Sequence, residues 1–135
     1  MTANFQLNKK YKRGDILDLI GVPKDENGRR GGVYTTGYFK FENAYYLFVN
    51  IGIEGRTGHD YDNKFLSDDE IYWFAKSNAK MGQSQIQELL NPKTSINLFY
   101  REDNRDDFTY FGKVKAISYQ DMKPVQITWR IVGDI

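Results

Sequence analysis

In GVYTTGYFKFENAYYLFVNIGI, residues 32–53, apolar and polar side chains alternate along two runs separated by Glu42–Asn43. In the first run Val33, Thr35, Phe39 and Phe41 point one way, while Tyr34, Thr36, Tyr38 and Lys40 point the other. In the second, Tyr45, Leu47, Val49, Ile51 and Ile53 share a face. A period of two marks a strand, because successive side chains leave its backbone on opposite sides. The two runs predict an antiparallel hairpin with Glu42–Asn43 as its turn.

Working outward toward the N-terminus, KDENGRRGG (24–32) carries no apolar side chain and reads as a loop. Before it, KYKRGDILDLIGV (10–22) predicts a short helix with Ile16, Leu17, Leu19 and Ile20 as its apolar stripe. Gly21 and Pro23 end it. Toward the C-terminus, EIYWFAKS (70–77) predicts an aromatic strand in which Trp73 belongs to the core. SQIQELLNP (84–92) follows as a second helix, with Ser84 and Gln87 at capping-box spacing and Asn91–Pro92 as its stop. SINLFYR (95–101), DFTYFGKVKAI (107–117) and PVQITWRIV (124–132) complete the strands. These elements define an α+β, mainly β domain. The expected architecture is an open β-barrel, or pseudobarrel, of about six to seven strands with two short helices.

With 135 residues the chain forms one domain, 1–135, without internal repeats or an interdomain linker. Nineteen basic residues against eighteen acidic ones create no global field that selects a nucleic acid or a membrane. A local basic patch would still serve a nucleic acid. The lack of cysteine removes disulfides, thiolate catalysis and cysteine-held zinc, and suits a cytoplasmic location. No apolar run reaches the ~20 residues of a membrane-spanning helix. Ten tyrosines and nine phenylalanines agree with a strand-rich domain.

The single histidine, His59, lies in EGRTGHDYDNKF (54–65). It has no second histidine, nucleophile elbow or Glu-x-Lys pair beside it, so neither a catalytic group nor a metal site is assigned. No cofactor is implied. The side chains that read base edges and grip phosphates concentrate elsewhere in loops. Arg29 and Arg30 lie in a glycine-flanked loop, followed by Tyr34, Thr36, Tyr38 and Lys40. Arg56, His59, Asn63 and Lys64 belong to the central loop, and Lys76, Ser77, Asn78 and Lys80 leave the tryptophan strand. Each group has a plainer reading as a solvated loop or a core rim. The imidazole of His59 suits a turn cap as well as a ligand contact, and Asp60 suits fixing the turn.

The order of short motifs resembles a known family. It runs Tyr-x-Arg-x-Asp (Tyr11, Arg13, Asp15), FVNIG, TGHDYDNKF, IYWFAKSN, SQIQELL, LFYR and FTYFG, over residues 11–117. The series resembles the DNA-specificity domains of bacterial restriction endonucleases, including the C-terminal domain of phospholipase-D-type restriction helicases. Such domains are pseudobarrels, like either plant B-three-type or PUA/SRA readers. The resemblance implies a bacterial, cytoplasmic partner of double-stranded DNA, not catalytic by itself, attached to a nuclease domain in a larger parent chain. The start MTANFQ hints at the N-terminal part of that parent. In the plant-like type, two arms grip the major groove; by position they are Gly28–Tyr38 and Lys76–Lys80. In the SRA-like type, a 5-methylated or 5-hydroxymethylated cytosine is flipped into an aromatic pocket, with Tyr34, Tyr38, Tyr61 and Trp73 as candidate walls. A protein- or peptide-interaction module is the reading outside nucleic acids.

Overall fold

The computed structural model describes residues 5–51, 63–75, 79–91, 94–103, 105–122 and 124–132. Its elements, in chain order, are β1 (Lys10–Tyr11), α1 (Arg13–Ile20), a 3-10 turn (Gly32–Thr35), β2 (Tyr38–Phe41), β3 (Ala44–Asn50), β4 (Lys64–Ser67) and β5 (Glu70–Phe74). Then come α2 (Ser84–Leu90), β6 (Ser95–Arg101), β7 (Phe108–Gln120) and β8 (Gln126–Ile131). The domain is α+β and mainly β, with two short helices and an open sheet of eight strands.

The hairpin expected over 32–53 is present but begins later. Tyr38 pairs with Leu47 and Phe41 with Ala44, around a two-residue turn in which Glu42 takes a φ of 55°. Ahead of Tyr38 the carbonyls of Tyr34 and Thr36 accept from Arg13 Nη1, at 3.2 and 2.8 Å. A side chain thus serves backbone groups that a strand would have paired. β3 is buried on both faces. Tyr45, Leu47 and Val49 enter one core, and Ala44, Tyr46 and Phe48 enter another.

Strand order is β2-β3-β6-β7-β8-β5-β4, with β1 paired to the start of β7. The β3–β6 pair is parallel, Ala44 facing Ser95 and Asn50 facing Arg101; every other pair is antiparallel. The thirteen-residue β7 serves two halves of the sheet, pairing first with β6 and then with β8. Leu98 pairs with Gly112 and Phe99 with Tyr110, so Phe111 is the extra residue of a bulge. Gly112 has a φ of 133° there, which a side chain would resist.

The sheet curls until its ends meet through side chains rather than ladder hydrogen bonds. The Tyr38 ring on β2 lies 5.3 Å from that of Trp73 on β5, and Phe65 on β4 lies 4.9 Å from Tyr100 on β6. Within the curl, Leu47, Ile71, Leu98, Ile127 and Trp129 form the main core, closed at one end by Ile86 and Leu89 of α2. Ile16 and Leu17 of α1 cover the outer face over Phe39, Tyr46, Phe48 and Phe99. Each such aliphatic side chain contributes about 1.5–3 kcal/mol by leaving water.

Two local expectations need correction. Leu19 is more than half exposed and lies outside the buried stripe of α1. The capping box at Ser84 does not form. The N-cap is Gln83, and Gln87 Nε2 donates to the Met81 carbonyl instead. Gly21 does end α1, in the left-handed conformation at φ 91°, its N–H reaching the carbonyls of Asp18 and Leu17. Among the described residues no helix is long and apolar enough to cross a membrane.

Candidate functional site

α2 lies against the start of the parallel pair, where Lys40 Nζ and Tyr45 Oη both donate to the Glu88 carboxylate. A cavity of about 540 Å³ lies at the other end of β6, walled by Phe65, Tyr100 and Phe111, with Leu7, Ile131 and Asp68 also in its lining. The bulge in β7 turns Phe111 into this space, where its ring lies 5.8 Å from Phe65 and 6.1 Å from Tyr100. Phe65 and Tyr100 meet edge to face, the edge of one ring packing on a face of the other. Asp68 lies in the turn joining β4 to β5, and beside it Ser67 Oγ donates to Asp69 Oδ1.

The rim is tied down by amides. Asn63 Nδ2 donates to the Asn50 carbonyl at 3.1 Å, and Asn63 Oδ1 accepts from the Phe74 N–H at 2.9 Å. The Ile51 N–H donates to the Arg101 carbonyl, and Arg101 Nε donates to Asn50 Oδ1. The chain thus leaves β3 and enters β4 beside the end of β6 that borders the cavity.

The sequence-derived site residues are scattered over this frame. Arg56, His59, Lys76, Ser77 and Asn78, with Asp60 and Tyr61, lie outside the described residues. Arg29 is exposed. Arg30 is not a free fork: its side chain is largely buried, and its guanidinium donates to the Val22 carbonyl and pairs with Asp18. That pairing holds the Asp18 carboxyl below the usual aspartate range. Tyr34 packs on the outer face against Phe39 and Phe41, and Thr36 Oγ1 donates to the Tyr38 carbonyl. Tyr38 does not share a polar surface with them. Only 3% exposed, it belongs to the interior core beside Trp73, because its strand closes the barrel. Tyr34 and the Tyr38–Trp73 pair therefore lie in different cores and do not wall one open pocket. Asn63 spends both ends of its amide on backbone groups. Lys64 is exposed on β4, its Nζ 5.3 Å from the Tyr72 ring centre, and Lys80 is exposed before α2.

Phe65, Asp68, Tyr100 and Phe111 were not singled out as site residues in the sequence. LFYR and FTYFG contain two of them and mark their strands, but no local signal tells that a bulge aims Phe111 toward β4. Among the described residues no three histidine, cysteine or acidic side chains are grouped to hold a metal ion. Glu70, in the acidic run 68–70, is paired with Arg130.

The fold is similar to that of SRA domains. Superposition on the SRA domain of SUVH5 in complex with hemi-methylated CG DNA gives a TM-score of 0.62 at 11% identity, over 99% of this chain and 93% of that one. The SUVH5 SRA domain with methylated CHH DNA gives 0.58 at 11% identity, over 99% and 95%. Arabidopsis thaliana SUVH6, in a structure with SAM, gives 0.57 at 12% identity, with 99% of this chain matched to 28% of that longer one. No curated protein matches the sequence. The chain belongs to the family described as DUF3427, a domain of unknown function, whose profile matches residues 5–133.

Proposed function

We propose that the domain is a non-catalytic reader of double-stranded DNA that takes a modified cytosine base into the cavity between β4, β6 and β7. The observation that carries this reading is the aromatic-walled cavity between β4, β6 and β7 of an SRA-like barrel. About 540 Å³ falls within the range of small-ligand pockets, roughly 300–1,000 Å³, and suits a pyrimidine ring. Phe65, Tyr100 and Phe111 supply ring faces and edges for stacking, which repays the few kcal/mol of unpairing a base. The Asp68 carboxylate is of the type that accepts from the cytosine exocyclic amine. Leu7 and Ile131 offer an apolar surface for a 5-methyl group. The SUVH5 SRA structures, solved with hemi-methylated and methylated DNA, support the same reading.

Reading an unmodified sequence through two major-groove arms is less well supported. In the first arm Arg30 is tied to Asp18 and the Val22 carbonyl, so it is not available without breaking a fold contact. A parent restriction or defence enzyme of the bacterial cytoplasm, with its own nuclease domain, remains part of the proposal. It is supported by the motif order over residues 11–117.

The test is fluorescence anisotropy with matched duplexes carrying cytosine, 5-methylcytosine or 5-hydroxymethylcytosine at one salt concentration. Tighter binding to a modified duplex, lost in Phe65→Ala and weakened in Asp68→Asn, is the expected result. Equal affinity for all three would overturn modified-base reading, and no duplex binding would overturn the DNA reading altogether.

A further inference from the structure

On the outer face of the sheet, directly behind the cavity, two arginines share one stack of aromatic rings. The Arg13 guanidinium lies 4.0 Å from the Phe48 ring centre and 5.4 Å from that of Phe108. Arg101 lies over Phe108 as well, at 4.4 Å. Phe48 and Phe108 meet edge to face at 5.0 Å, so the two cations are held close through buried rings. Arg13 spends Nη1 on the Tyr34 and Thr36 carbonyls, and Arg101 spends Nε on Asn50. Among the described residues neither guanidinium is ion-paired with a carboxylate. The charges of Asp103 and Asp106 reach Arg101, but their hydrogen bonds go to other groups, Asp103 to Arg105 and Asp106 to Lys10. Burial, and then the charge of Arg101, pushes Arg13 down to about 10. Holding two like charges together with no carboxylate bonded to either among the described residues is costly, and an anion offsets that cost.

Tyr100 and Arg101 are consecutive on β6. Tyr100 lines the cavity and Arg101 joins the outer face, since neighbouring strand residues point to opposite sides. A strand delivering a base to Tyr100 would run close to Arg101, its neighbour on β6. We propose that Arg13 and Arg101 together form a phosphate site, gripping a backbone phosphodiester of the DNA strand whose base enters the cavity. The planar edges left after ring stacking suit paired N–H donation to phosphate oxygens. The proposal rests on the DNA reading above for its ligand, but the site itself can be tested without DNA.

Two measurements separate the ideas. In NMR titrations with inorganic phosphate, the Nε–H signals of Arg13 and Arg101 should shift together in the wild type, and Arg13 should not respond in Arg101→Gln. If neither signal moves, the site does not exist. In duplex binding, Arg101→Gln should weaken affinity roughly tenfold and make the log–log salt slope shallower by about 0.9. Arg101→Lys, which keeps the charge but loses the fork, should keep the slope with reduced affinity. An unchanged slope in Arg101→Gln would overturn the phosphate role even if modified DNA is preferred. Phosphate shifts without duplex binding would overturn the DNA ligand while leaving an anion site. Because Arg13 also serves two carbonyls, the variants are placed at Arg101, and urea unfolding confirms that they fold.

Discussion

The side-chain amide of Asn63 ties the end of β3 to β5, its Nδ2 donating to the Asn50 carbonyl at 3.1 Å while its Oδ1 receives the Phe74 N–H at 2.9 Å. Asn63→Ala leaves both backbone groups without these partners, and the expected loss is about 1–3 kcal/mol in urea unfolding. Asn63→Asp keeps an acceptor toward Phe74 but turns an oxygen toward the Asn50 carbonyl, so it should also destabilise. A wild-type unfolding midpoint in Asn63→Ala, with weakened DNA binding, would return Asn63 to the role of a direct reader.

Tyr38 and Phe65 should separate stability from binding. Tyr38 is buried against Trp73, so Tyr38→Ala opens a core cavity and should cost about 3–5 kcal/mol, as large aromatic deletions do. Phe65 is over a third exposed, and Phe65→Ala should cost about 1 kcal/mol or less while removing a cavity wall. Urea midpoints for the two variants check the order.

At Gly112 the φ of 133° excludes ordinary side chains, and an added Cβ would lie 3.2 Å from Leu7 Cδ2. Gly112→Ala should destabilise by about 1–3 kcal/mol and disturb the bulge that aims Phe111. Thermal unfolding, together with near-ultraviolet circular dichroism of the aromatic cluster, reads both effects.

Alkaline stability should depend on Tyr110. Burial, helped by Tyr46 and Tyr11, pushes its hydroxyl up to about 12, and the hydroxyl donates to Asn97 Oδ1 at 2.8 Å. A raised folded-state value favours the neutral form. Its contribution is full below the unfolded tyrosine value near ~10 and is lost as pH rises toward 12. Tyr110→Phe should be less stable at neutral pH, because Asn97 loses its donor, yet should lose less on going from pH 9 to 12. Parallel wild-type and variant slopes in urea unfolding across that range would contradict this.

Acid should act through Asp18, Asp103 and Asp106. Each is held below the ordinary aspartate value, first by its hydrogen bond to Arg30, to the Arg105 backbone and to Lys10 respectively. A lowered carboxyl contributes above its unfolded value, and that contribution disappears as pH falls through the folded one. Asp18→Asn should therefore flatten the acid limb of a stability–pH curve, modestly because the carboxylate is exposed.

What could be read along the chain was what neighbouring residues control. The alternation through Tyr45, Leu47 and Val49 marked β3, SINLFYR matched β6 from Ser95 to Arg101, and Gly21 closed α1 by its left-handed conformation. The curled, mainly β architecture followed from the number and aromatic character of such runs. The short β1 and β4 escaped notice because two to four residues carry too little periodicity. Asn63, Arg30 and Tyr38 look alike as polar or amphipathic residues near loops. Only their partners, Phe74 and Asn50, Asp18 and Val22, and Trp73, made them parts of the frame. The cavity depended on still more distant terms, since Phe65, Tyr100 and Phe111 come from three strands. They meet because β3 and β6 run parallel and β7 bulges at Gly112. Propensities and caps act over a few residues, so the chain alone determined the longer strands and one helix end. Which strands paired, and which aromatic rings were left facing an opening, depended on fitting two apolar faces of β3 at once, and tertiary packing alone decides that.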